Sequence, residues 1–200
     1  MAEVVRPTVD GLKAEGISYA GALYIGLMLT EHGPQVLEFN CRFGDPEAEA
    51  LLMRLTSDLV PVLLDTARGE LRRGTLLHWA NRASVALVLA SPGYPDKPDV
   101  GYEVAIPSAL LQRQSSVFRI FHAGTMRQNG TLLTAGGRVL VVATLGRTFH
   151  AAQRRAYEAA EKIRYLISLF ATAPAAQNPR YQALIASILA DLKNLDGTAV

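Results

Sequence analysis

The chain has 200 residues, of which 50% are hydrophobic and 19% are charged, and its formal net charge is +2. This length and composition suffice for an ordinary buried core, so we expect a folded, soluble protein with one domain or two small ones. The weak charge and the scattered arginines argue against a nucleic-acid partner and against binding to an anionic membrane.

Cellular location is indicated by the start of the chain and by its cysteine content. The first seven residues lack the apolar stretch of a signal peptide, and no apolar run is long enough to span a membrane. Cys41 is the single cysteine, which excludes an internal disulfide and fits a reducing compartment. Its predicted position on the core side of a strand favours a packing role. We therefore expect a cytoplasmic protein.

The first forty residues predict a helix followed by a β-hairpin. Residues 8–15 form the helix, with Thr8 as its N-cap and Gly16 at its end. Residues 17–29 and 35–41 are apolar runs separated by a turn, which predicts two paired strands.

Two helices are predicted after the hairpin. Asp45 is the N-cap of the first helix, a proline follows it, and the helix runs towards Thr56. Ser57 or Asp58 starts the second helix, which ends at Gly69.

The rest of the chain predicts short strands and then helices. The strands are expected at residues 82–90, 101–106, 117–122, 131–134 and 138–144. Thr148 caps a helix over 149–165, and an amphipathic pattern predicts another over 181–195. Gly136 and Gly137 are explained by a hairpin turn between the last two strands, which we favour over a phosphate contact. Strands backed by helices on one side predict an α+β fold.

The most informative stretch is VLEFNCRFGDPE, which begins at residue 36 and carries Glu38 and Asn40. Alternate side chains of a strand share a face, so these two point one way while Leu37, Phe39 and Cys41 point the other. Their Cα atoms would lie roughly 6.5 Å apart, a gap that the two side chains can close onto a cation. Oxygen ligands favour Mg²⁺ or Mn²⁺ over zinc, although an ordinary polar strand face is the alternative.

The segment over residues 16–58, which contains this stretch, resembles the closing part of the ATP-grasp region of phosphoribosylamine–glycine ligases, also called glycinamide ribonucleotide synthetases. Later segments resemble the C-terminal domain of the same family, namely FHAGT at 121–125, TAGGRVL at 134–140 and AYEAAEKIR at 156–164. The resemblance covers roughly four fifths of the chain in family order, which makes chance agreement less credible than for a single motif.

This resemblance implies three parts. Residues 1–69 are the closing part of an ATP-grasp antiparallel sheet with helices, residues 70–165 are a small α+β C-terminal domain, and residues 166–200 are an unmatched extension with a helix. Family members carry further sequence in front that encloses the nucleotide, so we expect that this chain alone does not complete the reaction. The alternative is a non-catalytic fragment or assembly module that pairs with a separate N-terminal chain. An ATP-grasp ligase with another acid or amine substrate is a further alternative.

The implied reaction belongs to de novo purine biosynthesis. ATP, glycine and 5-phosphoribosylamine give glycinamide ribonucleotide, ADP and phosphate through a glycyl phosphate. Glu38 and Asn40 match the family's metal ligands, which predicts Mg²⁺ or Mn²⁺ with ATP as co-substrate. Arg42 is expected to be catalytic, because an arginine there can meet a phosphate or a carboxylate, unless it only pairs with a nearby acid. Asp45 and Glu47 are expected to bind the ammonium group of glycine.

Three further residues near these segments have less certain chemistry. Tyr19 and Tyr24 have opposite strand phase, so at most one of them should face the site. His122 has no second histidine or cysteine at ligand spacing, which makes it a poor metal ligand.

Overall fold

The structure is a computed structural model that describes residues 3–72 and 74–163. Its elements in chain order are α1 (Val5–Ala14), β1 (Tyr24–Thr30), β2 (Gly33–Asn40), α2 (Glu47–Arg54), α3 (Val60–Arg68), β3 (Ala83–Ala90), α4 (Ser108–Gln112), β4 (Phe118–His122), β5 (Thr125–Gln128), β6 (Thr131–Thr134), β7 (Arg138–Gly146) and α5 (Phe149–Ala160). None of the described helices is long and apolar enough to cross a membrane. Antiparallel strands combined with helices confirm the predicted α+β fold.

Contacts between Cα atoms divide the chain into two compact units. Of the described residues, the first unit holds those up to Leu87, Ser115–Arg119 and Ala143–Ala156, and the second holds Val88–Gln114, Ile120–Val142 and 157–163. The predicted domain boundaries after residues 69 and 165 stay a prediction. The helix predicted over 181–195 lies outside the described residues.

Helix α1 begins earlier than predicted. It starts at Val5, and Pro7 lies in its first turn, where a backbone N–H is not needed. The Thr8 hydroxyl donates a hydrogen bond to the Val4 carbonyl oxygen at 2.8 Å, so Thr8 is a residue inside the helix and the prediction of an N-cap there was wrong. The predicted end is confirmed, since Gly16 follows the helix with a φ of 74°.

Strand β1 is shorter than the predicted strand over 17–29. It begins at Tyr24, which is paired with Asn40, the last residue of β2. Residues 17–23 therefore lie beyond the end of the partner strand, and the prediction was wrong for them. Within this segment the Tyr19 hydroxyl donates to the Ala22 carbonyl oxygen at 2.8 Å, so the chain forms a local turn.

The predicted hairpin itself is confirmed, but it contains a β-bulge. Strands β1 and β2 pair antiparallel, with Gly26 opposite Glu38 and Leu27 opposite Val36, which leaves Leu37 without a partner in the register. Beyond the bulge, each residue of β2 therefore faces the side opposite to the one that a regular strand would give it.

The bulge gives the hairpin one continuous apolar face. Val36 pairs with Leu27 and Phe39 pairs with Ile25, and Leu29 shares their side of β1. We call Leu27, Leu29, Val36 and Phe39 the apolar face of the hairpin. All four side chains are exposed, Leu29 by 82%.

Helices α2 and α3 follow the hairpin. Helix α2 begins at Glu47 and its N-cap position is Pro46, so the prediction of Asp45 as the N-cap residue was wrong by one position. In contrast, Asp58 Oδ1 accepts a hydrogen bond from the Val60 N–H at 2.9 Å, which confirms Asp58 as the start signal of α3. Gly69 ends α3 in the left-handed conformation, as predicted.

The buried core is centred on β7, which lies between β3 and β4 in a three-stranded sheet. Its fully buried residues are Val139, Leu140, Val141, Val142, Ala143 and Thr144. The Leu145 N–H donates to the Val117 oxygen at 2.9 Å and the Ala123 N–H to the Val139 oxygen at 3.0 Å, so β4 and β7 run antiparallel. A continuous apolar run is typical of a strand buried on both faces. The strand predicted over 138–144 is confirmed.

The predicted turn at Gly136 and Gly137 is not a hairpin turn. Strand β6 pairs with β5, whereas β7 pairs with β3 and β4, so these glycines link two sheets. A Cβ atom on Gly136 would lie 3.3 Å from the Cα of Gly124, and one on Gly124 would lie 2.6 Å from the Arg138 oxygen. Close backbone packing therefore explains the glycines.

Two short elements were missed and one prediction was wrong in this part of the chain. Residues 101–106 form no strand, and Glu103 makes only an isolated bridge with Leu133. Sequence analysis missed β5 and α4, which have four and five residues and are too short for a periodic pattern.

Helix α5 and its cap are confirmed, but the helix ends at Ala160, earlier than the predicted end at residue 165. Thr148 Oγ1 accepts a hydrogen bond from the Ala151 N–H at 3.2 Å. Ala152 and Ala156 are fully buried, which confirms the small apolar side of the helix.

Candidate metal and substrate site

The candidate site lies where the hairpin ends and α2 begins. Glu38 and Asn40 share one face of β2, and Asn40 Nδ2 donates a hydrogen bond to Glu38 Oε1 at 3.0 Å. Glu38 is exposed and Asn40 is half-buried. The structure therefore brings the two predicted metal ligands together, while their role as ligands stays a prediction.

The side chain of Glu38 on β2 lies over Gly26 on β1. Gly26 is buried and pairs with Glu38, and a Cβ atom on Gly26 would lie 3.0 Å from Glu38 Cγ. That distance is shorter than ordinary van der Waals contact, so the side chain of Glu38 occupies the space that a larger residue on β1 would need. Sequence analysis did not identify Gly26 as a neighbour of the metal pair.

The chemistry of this pair fits a hard cation. The hydrogen bond uses the amide nitrogen of Asn40 and one oxygen of Glu38, so the amide oxygen and the second carboxylate oxygen are the donors that a cation would take. Both are oxygen donors, which suit Mg²⁺ or Mn²⁺. Within residues 3–72 and 74–163, no group of three or more histidine, cysteine, aspartate or glutamate side chains could hold a metal ion. A cation here would therefore need further oxygen ligands, such as phosphate groups or water.

Glu47 joins the site through Tyr24. The Tyr24 hydroxyl donates to Glu47 Oε1 at 3.3 Å, and Tyr24 is paired with Asn40 across the hairpin. Glu47 also folds back over the buried Gly44, because a Cβ atom on that glycine would lie 3.0 Å from Glu47 Cδ. The structure thus places Tyr24, and not Tyr19, on the face of the predicted site.

The electrostatics of Tyr24 reflect this neighbourhood. Partial desolvation raises the pKa of the Tyr24 phenol above its ordinary value of 10.0, and the negative charges of Glu47 and Glu38 raise it further. The phenol is therefore kept protonated as a hydrogen-bond donor beside two carboxylates. Its strand phase alone could not identify this role, since the contact with Glu47 spans 23 positions of the sequence.

Arg42 and Asp45 lie in the loop between the hairpin and α2. Arg42 is exposed, and its Nη1 donates to the Phe43 carbonyl oxygen at 2.8 Å. Asp45 is exposed as well. The structure keeps both residues next to the metal pair along the chain, and their roles with substrate stay predictions.

Cys41 departs from its predicted packing role. It is exposed, because β2 ends at Asn40 and Cys41 lies beyond the paired strands. Its neighbour is Tyr19, whose pKa is raised by partial desolvation and then by a hydrogen bond and charge interaction with the Cys41 side chain.

His122 makes a local contact. It ends β4, as predicted, and its Nδ1 lies 3.0 Å from Thr125 Oγ1. A local hydrogen bond therefore accounts for its ring.

Comparisons with known proteins match two segments of this chain to one synthetase family. Residues 1–48 match the family model described as phosphoribosylglycinamide synthetase, ATP-grasp (A) domain, and residues 84–168 match phosphoribosylglycinamide synthetase, C domain. Together these matches cover more than half of the chain.

Curated relatives and a solved structure agree with the two models. The phosphoribosylamine–glycine ligase of Caulobacter vibrioides is 47% identical over 162 residues, which are 80% of this chain and 37% of the relative. The enzyme of the same name from Agrobacterium fabrum is 42% identical over 165 residues, 82% of this chain and 38% of the relative. The crystal structure of phosphoribosylamine–glycine ligase from Thermotoga maritima aligns with a TM-score of 0.66 and 38% identity, covering 78% of this chain and 37% of that one.

The fold and the matched segments thus define part of an ATP-grasp synthetase. Both synthetase domains occur in the same order here, and the relatives share one name. The chain belongs to the phosphoribosylglycinamide synthetase family, which confirms the predicted resemblance. It spans just over a third of the length of the curated relatives it matches.

Proposed function

We propose that this chain takes part in the ligation of glycine to 5-phosphoribosylamine, driven by ATP. The products are glycinamide ribonucleotide, ADP and phosphate, and glycyl phosphate is the intermediate. The observation that carries the proposal is the Glu38 and Asn40 pair, held on one hairpin face inside a segment that matches the synthetase ATP-grasp domain. The substrates are small molecules, and we propose the cytoplasm as the location because the single cysteine fits a reducing compartment.

The metal pair has a defined task in this proposal. Glu38 and Asn40 would hold Mg²⁺ or Mn²⁺ through their oxygen atoms, with the remaining ligands from the phosphates of ATP and from water. When bound, the cation neutralises charge on the phosphates during phosphoryl transfer. Glu38 supplies the negative charge on the protein side, and Gly26 provides the space in which its side chain lies.

The loop and the start of α2 would hold the other reactants. Arg42 presents an exposed guanidinium group that can bind a phosphate or the carboxylate of glycine. Asp45 and Glu47 present carboxylates for the ammonium group of glycine. Holding both ends of so small a substrate fixes its carboxylate for attack on the terminal phosphoryl group of ATP.

The exposed apolar face of the hairpin is evidence that another protein segment packs on it. Leu29 is 82% exposed and Phe39 is 48% exposed, although both point to the side opposite the metal pair. A contiguous exposed apolar surface marks a place where other protein packs. Since the chain spans 37% of the Caulobacter relative, we propose that the part of the synthetase missing here covers this face and encloses the nucleotide.

A second candidate function follows from the same surface. The chain would be an assembly module that binds a separate N-terminal chain without contributing catalytic groups. The exposed apolar face is expected for both candidate functions. Substitution of Glu38 or Asn40 distinguishes them, because only the catalytic function needs these side chains.

The test is complementation. We would mix the purified 200-residue chain with a polypeptide that carries the preceding part of the Caulobacter relative, and measure ADP and glycinamide ribonucleotide. We expect product only from the mixture, and only with glycine present. The Glu38→Gln variant should lose at least about tenfold in activity, since a metal ligand loses its charge. The matched control is Glu31→Gln, which changes an exposed glutamate at the tip of the same hairpin.

The outcomes separate the candidates. Product from the chain alone would contradict the need for a partner segment. A mixture that forms a complex and remains active in the Glu38→Gln variant would favour the assembly module. Product formation with another amino acid in place of glycine would indicate a different ligase.

A further inference from the structure

Tyr24 connects the two halves of the candidate site. It lies on β1 directly opposite Asn40, and its hydroxyl reaches Glu47 at the first position of α2. This hydrogen bond joins the hairpin to Glu47. The contact is therefore a direct link between the strand that pairs with Asn40 and the start of α2.

The carboxylate of Glu47 accepts one hydrogen bond and lies close to Gly44. The Tyr24 hydroxyl lies 3.3 Å from its Oε1, and the side chain folds over Gly44 with 3.0 Å between its Cδ and a Cβ placed on that glycine. Glu47 is otherwise exposed, and an exposed glutamate without such contacts would populate several rotamers. The hydrogen bond from Tyr24 favours one orientation.

We propose that Tyr24 is a positioning residue for the amino-acid substrate, because its hydroxyl fixes the Glu47 carboxylate relative to the Glu38 and Asn40 pair. This inference rests on the proposed function, in which Glu47 binds the ammonium group of glycine. The ammonium and carboxylate groups of glycine are separated by a single carbon, so the acid that holds one end must keep a fixed distance from the cation that acts near the other. Small errors in such placement lower the rate or the affinity strongly.

The competing explanation is structural. The bond between Tyr24 and Glu47 could simply hold α2 against the hairpin, and its loss would then lower stability and affect all substrates alike. A positioning role instead predicts a selective effect on glycine.

The kinetic test uses the complemented enzyme and the Tyr24→Phe variant, which removes the hydroxyl and keeps the ring. We expect the KM for glycine to rise about three- to tenfold, as for the loss of one ordinary hydrogen bond, because Tyr24 acts on glycine only through Glu47. The KM for ATP should change less than twofold. The matched control is Tyr19→Phe, because the Tyr19 hydroxyl donates to the Ala22 backbone and not to the site.

A double variant tests the coupling. Tyr24→Phe added to Glu47→Gln should raise the KM for glycine no further than Glu47→Gln alone, because the two residues act through one contact. Additive effects of the two substitutions would overturn the proposal. An unchanged KM for glycine in Tyr24→Phe, or an equal rise for ATP, would overturn it as well.

A readout that needs no activity separates this inference from the proposed function. In the ¹³C-labelled 200-residue chain, Tyr24→Phe should move the carboxyl resonance of Glu47, and Tyr19→Phe should leave it in place. An unmoved resonance would overturn the positioning role. If the resonance moves but the complemented wild-type enzyme makes no product, the proposed function fails and the proposal that glycine is positioned fails with it, while the orienting contact itself is established.

Discussion

Gly26 matters because Glu38 needs the space above it. The Gly26→Ala variant would place a methyl group 3.0 Å from Glu38 Cγ and 3.8 Å from the Glu38 backbone. We expect Glu38 to shift and the Mn²⁺ affinity of the complemented enzyme with ATP to fall about tenfold, as for other changes behind a metal ligand. Electron paramagnetic resonance of free Mn²⁺ measures this. Gly11→Ala is the control, because a Cβ there meets nothing within 4 Å, and equal affinities for the two variants would contradict the prediction.

The pKa of the Tyr24 phenol depends on the charge of Glu47. Partial desolvation and the charges of Glu47 and Glu38 raise the pKa of the phenol, so Glu47→Gln should lower that pKa towards 10.0. Because the folded-state pKa is the higher one, the phenol's contribution to stability is present below the unfolded-state value of about 10 and is lost as the pH rises through the folded-state value.

Ultraviolet titration checks this expectation. Subtracting the Tyr24→Phe spectrum from that of the wild type isolates one phenol among seven tyrosines, and the same subtraction is made in the Glu47→Gln background. A pKa that stays put after Glu47→Gln would show that the glutamate does not act on Tyr24.

At the scale of secondary structure, the bulge at Leu37 decides which residues face the metal. In a regular strand, Gln35 would share a face with Phe39, and Val36 would share a face with Glu38. In the observed register Val36 pairs with Leu27, so Val36 lies on the same face as Phe39, and Gln35 lies on the same face as Glu38. The polar and apolar faces of the hairpin therefore follow from one unpaired residue.

Two matched substitutions test the bulge. Val36→Ser should weaken binding of the complementing polypeptide by roughly tenfold or more, because burying a valine side chain is worth about 1.5–3 kcal/mol. Gln35→Ser should change binding little, since Gln35 lies on the opposite face. Titration calorimetry measures both. A larger effect of Gln35→Ser than of Val36→Ser would show that the strand is regular.

For the molecule as a whole, the exposed apolar residues of the hairpin predict stabilisation by a partner. Leu27, Leu29, Val36 and Phe39 expose surface that the remaining part of the synthetase would bury. A ligand that binds only the folded state raises stability, by about 2.7 kcal/mol at a hundredfold excess over Kd. We therefore expect the Tm of the chain to rise with the concentration of the complementing polypeptide, as measured by scanning calorimetry. A Tm independent of that concentration would contradict the docking of this segment.

Much of the fold could be predicted from local signals in the sequence. Gly16 and Gly69 end helices as predicted, because a residue with positive φ is needed there whatever the surrounding structure. The buried run of β7 was also predictable, since an uninterrupted apolar strand must be covered on both faces. The false strand over 101–106 shows the limit of this reasoning, because strands exist only where a partner is available.

The sequence by itself determined the family, the hairpin and the pairing of Glu38 with Asn40, because all three depend on residues that are neighbours along the chain or on a motif read in order. Only the tertiary structure decided the bulge at Leu37 and the bond from Tyr24 to Glu47. Both depend on register and on contacts between distant segments, and such contacts leave no periodic signal in the sequence.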